Sequence, residues 1–129
     1  MNNPQVNNAA LLVGRILIAA IFVISGYNKI GGYSGTLAYM AAKGVPGALL
    51  PLVILVELLG GIAIVVGFQT RIVAILLAGF SLLAALFFHM GGDMNQTIHF
   101  MKNLAIAGGF LALFAAGPGD WSLDARNRR

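Results

Sequence analysis

No cysteine occurs anywhere in the 129 residues. That excludes disulfide exchange of the kind run by membrane thiol oxidoreductases, and it excludes thiolate-held metal centres. Acidic side chains are scarce too, four Asp and Glu against eight Lys and Arg, so that charged residues make up only 9% of the chain. The histidines number two, His89 and His99. Neither an H-E-x-x-H pattern nor a paired nucleophile and base is present, which leaves hydrolase and metalloprotease chemistry without residues, and no metal site is expected. Two imidazoles could in principle hold a haem, but they would have to face each other across a pocket; histidines bonded to loop backbone are the simpler reading. The net charge of +4 has no soluble surface on which to bind nucleic acid. In so apolar a chain it bears on orientation and on attraction to anionic lipid.

What is present in quantity is hydrocarbon. Hydrophobic residues make up 59% of the chain, and the mean hydropathy is +0.88. A bilayer core about 30 Å thick needs about 20 apolar residues per helix. Four windows meet that need, at residues 9–30, 47–68, 71–90 and 98–117. Runs such as ILLAGFSLLAALFF lack the alternation of a membrane β-strand, so a β-barrel is excluded. The expected fold is all-α: an integral membrane four-helix bundle, a single domain over residues 1–129, with short connections that favour antiparallel neighbours. The first window is expected to stay in place as a membrane helix. The residues before it carry no Lys or Arg, and Arg15 lies inside it, the wrong charge order for a cleaved signal.

Between the first two windows, Tyr33 to Gly44 is too polar to span and reads as a short helix lying in the membrane interface. Four spans put both termini on one side together with Arg71, Arg126, Arg128 and Arg129. The positive-inside rule makes that side cytoplasmic.

Charged residues inside the apolar windows are the sharpest clue to function, because each is costly at membrane depth and tends to face a bundle interior or a functional pathway. Arg15, Phe22 and Lys29 recur every seven residues on one face of the first helix, with Ser25 one turn before Lys29. Glu57 shares a face with Gly60, Gly61 and Ile64 of the second, where the glycines allow another backbone to come close. His99, Lys102 and Asn103 cluster on one side of the fourth helix. The up-down order brings Lys29, His89, His99 and Lys102 together near one membrane face, with Glu57 deeper and Arg15 entering from the other side. Arg15, Lys29, Glu57, His89, Lys102 and Asn103 are therefore the candidate ligand-binding or proton-relay residues. The expected partner of Glu57 is Arg15 or a group from the last helix. A purely structural ion pair, or lysines reaching to lipid headgroups, is the competing reading.

These residues, taken with Ser25-Gly26, Gly44-Val45-Pro46-Gly47, the run Leu50-Pro51 to Glu57, Gly67-Phe68-x-Thr70-Arg71, Phe88-His89 and Gly117-Pro118-Gly119, resemble the DoxX family over essentially the whole chain. The resemblance implies a four-helix protein of the bacterial cytoplasmic membrane. Some members of that family are linked to quinone-dependent oxidation of sulfur compounds or to complexes of thiol homeostasis. A quinone headgroup needs hydrogen-bond donors at its carbonyls and an apolar channel for its tail; Lys29, Lys102, Asn103 or His89 can donate, and the Leu, Ile and Phe walls supply the channel. Three readings stay open: a redox-associated subunit that binds a quinone or similar amphipathic compound and works with an oxidoreductase partner, a non-enzymatic accessory subunit, and a homo-oligomeric transporter of lipophilic molecules.

Overall fold

Asn3 starts the first helix. Its side chain accepts hydrogen bonds from the backbone N–H groups of Gln5 (2.9 Å) and Val6 (3.3 Å), and Pro4 follows at a position where its missing N–H does no harm. The structure, a computed structural model, describes residues 3–88 and 94–127. Helix α1 runs from Pro4 to Gly31, five residues earlier than its apolar window, because the cap and not hydropathy sets its start. After Gly32 the chain re-enters a helix at once. α2, Tyr33–Ala42, is the short segment expected at the interface. A 3-10 turn over Gly47–Leu49 leads into α3, Leu50–Val66, with Pro51 in its first turn.

Helix α3 ends on Gly67 at φ 74°, with Phe68 N–H donating to the Ala63 carbonyl (2.9 Å) and Gly67 N–H to that of Ile64 (3.2 Å). That left-handed residue stops the helix and satisfies its last carbonyls. It must be glycine for a second reason: a Cβ there would collide with Ser122 and with the Arg15 guanidinium. Helices α4, Thr70–Phe88, and α5, Met94–Ala116, complete the bundle, and a five-residue helix α6, Leu123–Asn127, closes the tail. No strand occurs among the described residues.

The bundle is built as two antiparallel pairs, α1 with α3 and α4 with α5, joined through the α3–α4 turn. Small residues set the spacing inside the first pair. A Cβ on Gly61 would lie 2.7 Å from the Val23 side chain and 3.4 Å from the Ala19 carbonyl, and one on Gly26 would lie 2.8 Å from Leu58. Neither helix could approach as closely with larger residues there. Contacts between the pairs are fewer and concentrate toward the end that holds the termini. There Ala19, Phe22, Ile64, Leu77 and Phe110 form the centre of the core. Phe22 packs edge-on against Phe110 (centroids 5.5 Å apart) and Phe80 (6.2 Å). At the opposite end a smaller cluster of Met40, Leu50 and Ile54 seats α2 on the start of α3.

The outer faces are apolar. Leu17, Leu59 and Leu76 are each more than 60% exposed, which in water would be an aggregation liability. Among the described residues three helical stretches, Pro4–Gly31, Gly47–Val66 and Thr97–Ala116, are long and apolar enough to cross a membrane, and Thr70–Leu86 is a slightly shorter apolar helix beside them. The fold is an all-α membrane helical bundle whose exposed leucines face lipid.

Candidate functional site

Two polar clusters lie at opposite ends of the bundle. The first surrounds Arg15, whose residue surface is 1% exposed. Its guanidinium donates to the carbonyls of Ile64 (3.3 Å) and Val65 (3.1 Å) at the end of α3, and to that of Trp121 in the tail. The tail is held again by Asp124. Its carboxylate accepts from the backbone N–H groups of Gln69 (2.6 Å) and Thr70 (2.8 Å), while its own N–H donates to Gly67 (2.8 Å). Asp124 thus caps the start of α4 from 54 residues away in sequence. Ser122 in turn caps α6 through its hydroxyl, which accepts from Ala125 N–H (3.2 Å). Asp120 meets Asn8 of α1 in a reciprocal pair of hydrogen bonds. This cluster is a clamp: its hydrogen bonds go to backbone or to side chains that hold the tail, while Arg15 Nε and Thr70 Oγ1 are buried in it without a partner among the described residues.

The second cluster is built differently. Lys29 Nζ donates to Glu57 Oε1 (2.6 Å) and to Ser25 Oγ (2.8 Å). Ser25 comes from the turn before Lys29 on the same helix face, and Glu57 is brought close by the glycine-lined seam of α1 and α3. The carboxylate side chain is 6% exposed and the lysine side chain 26%. Among the described residues this is the ion pair of the membrane interior, and it leaves one ammonium proton and the second carboxylate oxygen for something else.

The pair opens onto a cavity of about 780 Å³ between the two helix pairs. Phe22 and Phe80 form its floor, Leu50 and Val53 part of its wall, and α2 with the Gly44–Pro46 connection its roof. Lys102, Asn103 and His99 project into it from α5, and Lys43 and Tyr39 border it from the roof. Lys43 sits 5.8 Å from the centre of the Tyr39 ring, within cation–π range. Ser81 of α4 also lines the cavity. Its hydroxyl is buried and has no hydrogen-bond partner among the described residues, an uncommon state for a buried polar atom.

The structure therefore brings together Lys29, Glu57, Lys102 and Asn103 of the expected site, with His99 beside them. It separates Arg15 from them and corrects the expected pairing: Glu57 is partnered by Lys29, not by Arg15 or by α5. Helix geometry gives the reason. Glu57 lies seven residues into α3, about 10 Å from its start at the α2 end. Arg15 lies 16 residues from the corresponding end of α1, about 24 Å down, whereas Lys29 is two residues from that end. His89 falls outside the described residues. Ser81, Lys43 and Asp124 had no signal of charge spacing or motif to mark them. Among the described residues no group of three or more His, Asp and Glu could hold a metal ion.

The DoxX family model matches residues 10–90, well over half of the chain. Inner membrane protein YqjF of Escherichia coli (strain K12) is 50% identical over 121 residues, covering 93% of each chain. Inner membrane protein YphA of the same organism is 42% identical over 124 residues, covering 90% of this chain and 89% of its own. CatD of Bacillus subtilis (strain 168), named as a proposed oxidoreductase, is 33% identical over 67 residues, about half of each chain. No solved structure matches. A helical bundle of the inner membrane with a polar cavity between its helix pairs is the class these observations define. The chain belongs to the DoxX family.

Proposed function

We propose that this protein is a redox-associated membrane subunit that binds a quinone or a similar amphipathic carbonyl compound in the cavity beside Lys29 and Glu57. The observation that carries the reading is the cavity itself. Apolar side chains make up most of its lining, and Lys29, Glu57, Ser81, Lys102 and Asn103 set hydrogen-bonding groups among them. A flat, tailed headgroup needs that combination: donors at its carbonyls, hydrocarbon elsewhere. Lys29 and Lys102 supply ammonium donors, Asn103 a donor and an acceptor, and Ser81 a buried hydroxyl without a partner among the described residues. Glu57 orients Lys29 and offers its second oxygen to a hydroxyl on the ligand. A quinone, when bound, would supply two-electron, two-proton redox chemistry that no residue of this chain can supply. The electrons would have to come from an oxidoreductase partner, and the naming of CatD supports that direction.

An azido-benzoquinone with a ten-carbon tail, photolysed on the protein in phosphatidylcholine nanodiscs, tests the reading. Labelling is expected on the cavity stretches of α1 (residues 21–29) and α5 (residues 99–106), and it should disappear with excess unlabelled quinone. Uncompeted labelling spread over the lipid-facing leucines would reject it.

The reading also places both termini in the cytoplasm, on the strength of Arg71 and the arginines of the tail, so that the cavity lies toward the outer leaflet. An alkaline phosphatase fused after the last residue should be inactive. Activity there would reverse the orientation and put the cavity toward the inner leaflet.

A further inference from the structure

The charges around the cavity do not balance. Lys29, Lys43 and Lys102 line it, and Glu57 is its one acidic residue among those described. Glu57 is already committed to Lys29 at 2.6 Å. Two positive charges are left over at the roof and on α5. Lys102 is exposed on the bundle and lies five residues inside the apolar stretch Thr97–Ala116, about 8 Å along the helix. A lysine at that depth is uncommon without an anionic or polar partner.

A second feature concerns shape. The face of α1 carries a groove of about 650 Å³ that shares Ile21, Ser25, Lys29 and Thr36 with the cavity and continues along Leu17, Ala20 and Ile24. Leu17 and Ile24 are among the most exposed apolar side chains of α1, at 69% and 59%, so the groove opens on the lipid side. Leu17 lies 12 residues before Lys29, about 18 Å along the helix, the length of a chain of a dozen or more methylenes. The lysine-bordered cavity and the apolar groove therefore form one continuous surface with a cationic end and a hydrocarbon end.

Resting on the reading above, we infer that the natural ligand of this site is an anionic amphiphile. Its negatively charged head (a carboxylate, phosphate or acidic ring hydroxyl) is held by Lys43 and Lys102, and its tail lies along the Leu17–Ile24 groove. Lys29 contributes its remaining proton, while Glu57 keeps that lysine from acting as a third free cation. A charge-assisted hydrogen bond at low dielectric favours the ionised head over a neutral head of the same size. A neutral quinone then binds as a partial mimic, with its tail seated, Lys29 as its donor, and Lys43 and Lys102 underused.

The test compares retention of four radiolabelled probes by the protein in phosphatidylcholine nanodiscs, corrected against empty discs: dodecanol, dodecanoate, dodecyl phosphate and decyl-benzoquinone. Dodecanoate and dodecyl phosphate should be retained about tenfold better than dodecanol, the scale of one charge-assisted bond. The Lys43→Gln, Lys102→Gln double variant should lose that preference, and the Lys43→Arg, Lys102→Arg variant should keep it. Equal retention of alcohol and acid, or a preference that survives the glutamine variant, overturns the inference. Benzoquinone retained without any preference for the acids overturns the inference alone and leaves the quinone reading standing. Acids retained without benzoquinone remove the quinone and keep the inference. Phosphatidylglycerol added to the discs separates the sources of the anion. If it displaces dodecanoate, the head is a lipid phosphate; if it does not, the ligand is a free acid, and the anionic site stands either way.

Discussion

Arg15→Met is expected to destabilise the bundle by about 3–5 kcal/mol and to release the tail from it. The guanidinium is buried and bridges two carbonyls at the end of α3 to the Trp121 carbonyl. Methionine fills much of the volume but takes the Arg15 donor from the Val65 and Trp121 carbonyls and leaves that of Ile64 with Gly67 N–H alone, and the α3–α4 turn loses its tie to α1. Arg15→Lys should recover only part of the loss, since a single ammonium cannot reproduce the planar fork that reaches three acceptors. Trp121 is the protein's one tryptophan, so its emission anisotropy reports the tail alone. It should fall in Arg15→Met while the helices still form. A melting temperature within about 2 °C of the parent, where the expected loss corresponds to many degrees, would show that the clamp carries no stability.

The second large effect is at the other end, and its asymmetry is informative. Lys29→Met strands the Glu57 carboxylate, whose side chain is 6% exposed, and should lower stability by about 3–5 kcal/mol. Glu57→Gln strands Lys29, whose side chain is 26% exposed and keeps its bond to Ser25. Because that charge can reach polar surroundings, the loss should be smaller, about 1–2 kcal/mol. The double variant Lys29→Met, Glu57→Gln removes both charges and should recover most of the stability, as apolar or neutral replacements of buried pairs commonly do. Thermal unfolding of the three variants in the same neutral detergent checks the order. If Glu57→Gln were the more damaging single change, the pair would not be held as the structure describes.

Much of this architecture was legible in the residues. Window lengths identified three of the spans, the window over 71–90 answering to the shorter apolar helix Thr70–Leu86, and Gly31-Gly32 with the polar stretch after it marked α2. Helical spacing put Lys29 on the partner-facing stripe of the first helix, Glu57 on the glycine face of the second, and Lys102 with Asn103 on one side of the last, all toward one end. The sequence-level error over Arg15 was one of depth. A seven-residue repeat tells which face a residue occupies but not which partner lies level with it, and depth depends on where each helix begins. Those starts are set by Asn3, Pro46 and Pro51, not by hydropathy. Asp124 was illegible for another reason. It caps a helix that begins 54 residues earlier, and nothing local in the tail requires that contact. The cavity could not be read at all, since it arises from looser packing between two tightly packed helix pairs. A linear pattern of apolar residues carries no measure of that gap.

The variant with both Lys29→Met and Glu57→Gln also tests the central claim, that the ion pair exists to serve the cavity rather than to hold the helices. Its affinity for decyl-benzoquinone and for dodecanoate should be measured in phosphatidylcholine nanodiscs at a temperature where its bundle is fully folded. The account predicts a stable protein whose affinity for both has fallen by about tenfold or more, as expected when a charged donor is removed from the site. A stable protein that binds both ligands as the parent does would contradict it.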